Sequence, residues 1–147
     1  MAYRVIQGEV LRAATALTSS FVQHEYAFST QSALLRFGIH VRYVRGGSST
    51  TGYPSVYVEW WNGVFWSREP LIDGTTIDSA TTPGTTMVDV GMELRHLIGL
   101  TAAASPGLAM VLSYTNPGGC QKVRVSIKET GDTANVGTAT IVLTAEE

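Results

Sequence analysis

The chain has 147 residues, 44% of them hydrophobic and only 15% charged, with a net charge of −2. That length is ordinary for one domain, and so small a charge supplies no field to hold a phosphate backbone, which excludes sequence-independent nucleic-acid binding as a main role. The single cysteine, Cys120, cannot form an internal disulfide, so the fold is expected to rest on its core alone, with Cys120 a buried inert thiol.

At the N-terminus, MAYRVIQGEVLRAATALTSS has Arg4 and Arg12 interrupting its apolar residues. It reads as neither a secretion signal nor a membrane span. Residues 3–11 read as a strand, and the segment 1–17 is too apolar for a free tail, so it is expected to be an assembly arm or an edge strand. Residues 21–28 follow as a second strand. In LLRFGIHVRYVR, Leu35, Phe37, Ile39, Val41 and Tyr43 share one side while Arg36, His40 and Arg42 share the other, the alternation of a long half-buried strand.

Further strands are expected over 55–61, 64–72, 86–90 and 108–114. GMELRHLIGL reads as another, because Gly91 and Gly99 disfavour the helix that Leu94, Leu97 and Ile98 would otherwise fit. KVRVSIKE puts Val123, Val125 and Ile127 inward and Lys122, Arg124, Ser126 and Lys128 outward, and ATIVLT puts Ala139, Ile141 and Leu143 inward. Turn-rich stretches such as RGGSSTTGYP, DGTTIDSATTPGTT and ETGDTANVGT separate the strands. The expected fold is all-β: one domain over 1–147, an antiparallel two-sheet β-sandwich with about eight to ten strands and little or no helix. Alternation fixes faces and not neighbours, so jelly-roll and immunoglobulin-like connections both remain open, and a jelly-roll-like order is the one expected.

The stretch YVEWWNGVFW carries the densest aromatic cluster. Asn62-Gly63 between two β-prone runs signals a two-residue hairpin turn, since type I′ requires positive φ at both positions. In that register Trp61 opposes Val64, Trp60 opposes Phe65 and Glu59 opposes Trp66. One face is then Val56, Val58, Trp60 and Phe65, which should pack on the core. The other holds Tyr57, Glu59, Trp61, Val64, Trp66 and Arg68, and Tyr57, Glu59, Trp61, Trp66 and Arg68 are the candidate partner-binding residues, because amphipathic aromatics and arginine are enriched at interfaces.

Signatures of catalysis are missing. His24, His40 and His96 form no metal-binding motif, and no G-x-S-x-G, P-loop or G-x-G-x-x-G occurs, so no enzyme, cofactor or metal is expected. Asp73 and Asp78 in DGTTID lack the ligand spacing of a calcium loop. Glu59 and Glu69 fall on opposite faces of the hairpin and cannot flank one glycosidic bond. If the strand bearing Arg36 and Arg42 shares a sheet with the one bearing Lys122, Arg124 and Lys128, a basic stripe forms.

The run YPSVYVEWWNGVFWSREPLIDG, the Thr/Gly/Ala-rich middle and the closing VRVSIKETGDTANVGTATIVL resemble, in texture over most of the chain, the small β-sandwich structural proteins of tailed-bacteriophage virions, in particular capsid decoration or cement proteins. The resemblance implies a non-enzymatic protein made in the host cytoplasm. It would bind major capsid or other virion proteins at the capsid surface as a homo-oligomer, a trimer being one form, without nucleic acid or membrane. The alternative is a carbohydrate-binding module in which Tyr57, Trp61 and Trp66 form a flat sugar platform, with Glu59 and Arg68 bonding hydroxyls.

Overall fold

The computed structural model describes residues 5–28, 36–47, 49–69, 92–93, 107–115 and 118–146. Among these residues the chain forms strands and no helix: β1 (Val5–Ala16), β2 (Val22–Ala27), β3 (Arg36–Val44), β4 (Pro54–Trp61), β5 (Trp66–Arg68), β6 (Met92–Glu93), β7 (Gly107–Thr115), β8 (Lys122–Glu129) and β9 (Thr138–Glu146). One sheet has the order β1-β9-β3-β7 and the other β2-β8-β4-β5, with β6 also on β4. The pairs nest: β4 with β5, β3 with β7, β2 with β8, β1 with β9, all antiparallel. Apart from β6, the described strands thus follow one long hairpin rolled over on itself, its rungs alternating between the sheets. This nesting is the jelly-roll connection, and it settles the strand order that alternation left open.

Half-buried sheets demand period-two sequences, and β3, β8 and β9 supply them. Phe37, Ile39, Val41 and Tyr43 are buried while Arg36, His40 and Arg42 are exposed; Val123, Val125 and Ile127 meet Ala139, Ile141 and Leu143 in the core between the sheets. An aromatic group closes one end of this core. The Phe37 and Trp60 rings stand edge to face at 4.8 Å, with Phe28 6.2 Å from Trp60 and Tyr114 5.7 Å from Phe37.

Among the described residues β1 stands at the end of its sheet, paired with β9. β1 extends past the expected end at residue 11 to Ala16, and Leu17, buried, donates its N–H to the Gly137 carbonyl at 2.8 Å. Three register shifts interrupt its pairing with β9, and after the second of them Arg12 lies opposite the inward-facing Ile141. The Arg12 side chain is therefore buried, and its guanidinium donates to the carbonyls of Ala16 (2.8 Å) and Thr15 (3.2 Å) and to His24 Nε2 (3.3 Å). A nitrogen that accepts from arginine carries no proton. Burial first, and the Arg12 charge second, hold the His24 pKa below its ordinary value.

Two other expectations need correction, and others lie outside the described residues. β3 and β8 belong to different sheets, so Arg36 and Arg42 point away from one side of the sandwich and Lys122, Arg124 and Lys128 from the other; the basic stripe does not form. The strand expected over 64–72 is β5, confined to Trp66–Arg68, with residues 70–72 outside the described residues. The expected strand 86–90, Asp73, Asp78 and His96 also lie outside them, and of residues 91–100 only Met92–Glu93 is described, as β6.

At the opposite end from the aromatic group, Glu129 closes β8 with only 1% of its surface exposed. Its carboxylate accepts the Tyr43 hydroxyl (2.9 and 3.1 Å) and the backbone N–H groups of Asp132 and Gly137, each at 3.2 Å. The loop from Thr130 to Gly137 is thereby tied to β3 through one side chain. A Cβ on Gly137 would run into the Tyr43 ring, so glycine is required there by close approach.

Candidate functional site

The β4–β5 hairpin has a four-residue tip, not the two-residue turn expected. Trp61 lies opposite Trp66, Trp60 opposite Ser67 and Glu59 opposite Arg68. Asn62 causes the difference: its Oδ1 accepts from the N–H groups of Val64 and Phe65, both at 2.9 Å, and its own N–H reaches the Phe65 carbonyl at 3.3 Å. The side chain imposes an Asx-type turn in place of the type I′ backbone. Gly63, at φ 99°, supplies the left-handed residue within it.

This register differs from the expected one by two residues along the partner strand, and a shift of two leaves every side chain on its face. Tyr57, Glu59, Trp61, Trp66 and Arg68 therefore do share the outer face of the second sheet. Phe65 is the residue that changes fate. Expected in the core beside Trp60, it stands at the tip with 60% of its surface exposed, next to Val64 at 79%. Ser67 takes its place opposite Trp60, and the Trp60 indole N–H donates to Glu69 Oε1 at 2.6 Å. Glu59 and Glu69 are on opposite faces, as the alternation requires.

The outer face is braced by stacked cations. Arg68 lies 3.8 Å over the Tyr57 ring, Arg124 lies 4.1 Å over Trp66, and Lys128 lies 4.6 Å over Phe21, which packs edge-on against Tyr57 at 4.6 Å. Such contacts contribute about 0.5–2 kcal/mol each, more where water is excluded. Glu59 is buried between two arginines: Arg124 contacts its Oε1 through Nη2 (2.7 Å) and Nε (2.9 Å), and Arg68 approaches Oε2 at 3.5 Å. Gln23 and Glu25 of β2 also approach Arg124, at 3.4 and 4.0 Å. Sequence alternation brings these residues to one face, but the adjacency of β8 to both β2 and β4, which makes Arg124 the hub, carries no signal in the chain order.

The consequence is a face with little free ring surface at its centre. Tyr57 is only 4% exposed, under Phe21 and Arg68. Trp61 and Trp66 are half-buried, their rings 5.4 Å apart and inclined by 52°. Coplanar open rings, which a sugar platform requires, are not what this arrangement presents. Its apolar surface is concentrated at the tip, where Val64 and Phe65 stand on a stem held by Asn62 and the arginine stack.

Elsewhere, His40 is exposed and its Nε2 lies 3.0 Å from Thr144 Oγ1, and Cys120 is partly buried, burial pushing its thiol pKa up. Among the described residues no group of three His, Cys, Asp or Glu side chains converges on a point that could hold a metal ion. The chain matches no protein-family model, and no curated protein matches it significantly, so the reading of the site rests on its own residues.

Proposed function

We propose that the chain is a non-enzymatic structural protein of a tailed-phage virion, made in the host cytoplasm, which decorates and stabilises the capsid by binding major capsid subunits and copies of itself. The observation that carries this reading is the hairpin tip: two large apolar side chains, Val64 and Phe65, exposed side by side at the end of a braced hairpin. A preorganised apolar anchor of this kind suits insertion into a pocket on a protein surface, with the half-buried Trp61 and Trp66 forming its shoulders. The jelly-roll architecture occurs in viral capsid and lectin domains alike, so the fold is an analogy only. What favours a protein partner over a carbohydrate is the tilt of Trp61 against Trp66 and the occupation of the Trp66 and Tyr57 faces by arginine.

The test is sedimentation of the purified chain with undecorated capsid shells of a phage whose genome encodes it. The chain is expected to co-sediment, and Val64→Ser and Phe65→Ser are each expected to weaken binding by about 30-fold, the equivalent of about 2 kcal/mol. Because both side chains are exposed, melting temperatures should stay within a few degrees of the unaltered chain. Binding to a glycan array with none to the shells would overturn the reading.

A further inference from the structure

The edges of the two sheets are unequal in their protection against pairing with another chain. β1 is interrupted by three register shifts and carries Glu9 and Arg12. β2 is six residues long and presents Glu25. β5, which lies against β4, has three residues. Bulges, charges and shortness are the means by which proteins blunt sheet edges. β7 has none of them. It runs nine residues from Gly107 to Thr115, pairs with β3 residue for residue without a register shift, and contains no charged residue and no proline. Among the described residues no strand pairs with its second side.

A second observation marks the same edge. Val111, the fifth of the nine residues, is 52% exposed on the outer face of the first sheet, and Val10 on the far strand is 55% exposed. The register sets them in one row across four strands, Val10 opposite Val142, Val142 opposite His40, and His40 opposite Val111. Among the described residues the row ends at β7, on an apolar side chain.

We propose that β7 pairs antiparallel with β7 of a second copy, joining two four-stranded sheets into one eight-stranded sheet across a twofold axis. Full overlap of the nine-residue strand places the axis at Val111, so the two Val111 side chains face each other and the two rows run on as one. A twofold interface must complement itself. An uncharged antiparallel strand does so, whereas a charge at its centre would meet its own copy. The proposal deepens the self-association part of the capsid reading and rests on it for the choice of partner, yet its test needs no capsid.

The test is sedimentation equilibrium of the full chain, of Val111→Lys, of Val111→Glu and of their equimolar mixture, with circular dichroism as the check on folding and amide hydrogen exchange on the unaltered chain. The unaltered chain is expected to associate, with exchange over 107–115 slowing as concentration rises. Each charged variant is expected to weaken association by about tenfold, since like charges then stand opposite, and the mixture is expected to restore it by setting lysine against glutamate. A merely structural effect of the substitutions would not be rescued by mixing. The proposal is overturned by an unaltered chain that stays monomeric, by protection over 107–115 that does not depend on concentration, or by a mixture no better associated than its parts. Pairing through β7 in a chain that fails to bind capsid shells supports it and counts against the capsid reading.

Discussion

Replacing Trp60 by alanine is expected to lower the stability of the fold by about 3–5 kcal/mol, the range for deleting a large aromatic side chain from a core. Trp60 is buried between the sheets, edge to face with Phe37 and within ring contact of Phe28. Truncation would empty that space, and it would also strip Glu69 Oε1 of the indole N–H that donates to it at 2.6 Å. A carboxylate left without its donor in a partly buried place adds to the loss from packing. In a chain of this length the melting temperature should fall by about 10 °C or more. Phe65→Ala, by contrast, should change stability by no more than about 0.5 kcal/mol, because its ring stands in solvent at the hairpin tip. Thermal melts of the two variants distinguish the observed four-residue tip from the two-residue turn, under which both rings would be core neighbours and both substitutions costly. A loss below about 1 kcal/mol for Trp60→Ala would show that the aromatic end of the core is not close-packed.

That contrast shows how much of the molecule can be read from residue order. Alternation placed Phe37, Ile39, Val41, Tyr43, Val123, Val125, Ile127, Ile141 and Leu143 inward, where they are, because a sheet with one wet face leaves the sequence little freedom. It placed Tyr57, Glu59, Trp61, Trp66 and Arg68 on one face even though the assumed turn was two residues too short, since faces survive an even shift. The turn itself departs from the two-residue form because two uses of Asn62 compete: it can adopt a left-handed backbone, or it can accept two N–H groups with its side chain, and here it does the second. Beyond that hairpin, neighbours across a sheet are not legible in the sequence. The supposed basic stripe required β3 beside β8, and the rolled hairpin sets them in different sheets.

Arg12 was hidden for a related reason, since the register shifts in β1 break the period on which every inward or outward assignment depends. Glu129 left a trace that could have been followed. It sits in the same phase as Val123, Val125 and Ile127, so the alternation that buries them buries an acidic side chain too, and Tyr43 holds the corresponding inward phase at the end of β3. A carboxylate forced inward must find donors.

Removing those acceptors is the second large effect expected. Glu129→Ala should cost about 3–5 kcal/mol, because the buried Tyr43 hydroxyl and Gly137 N–H and the part-buried Asp132 N–H would all lose their partner. The pH dependence gives a sharper test. Burial raises the Glu129 pKa above its ordinary value of 4.5, with the bonds from Tyr43, Gly137 and Asp132 opposing that rise. A carboxyl whose folded pKa is raised binds its proton more tightly folded than unfolded, so its contribution is fully present below pH 4.5 and is lost as pH climbs through the folded value. Tyr43 is raised as well, first by burial and then by the Glu129 charge, with Arg45 acting against and Asp132 with it. Its contribution is complete below its ordinary value of 10 and is lost above it. Asp132 moves the other way, lowered chiefly by its hydrogen bond to Ser49, but it is common to every variant and drops out of differences between them. Denaturant unfolding from pH 4 to 11 on the unaltered chain, Glu129→Gln and Tyr43→Phe should therefore show two separate divergences. The unaltered chain should lose stability relative to Glu129→Gln as pH rises from about 4.5 toward neutrality, and relative to Tyr43→Phe only above about pH 10. Parallel profiles for the unaltered chain and Glu129→Gln across the acidic range would mean that the carboxylate is solvated well enough to titrate normally, and that the Thr130–Gly137 loop is held by something other than a buried charge.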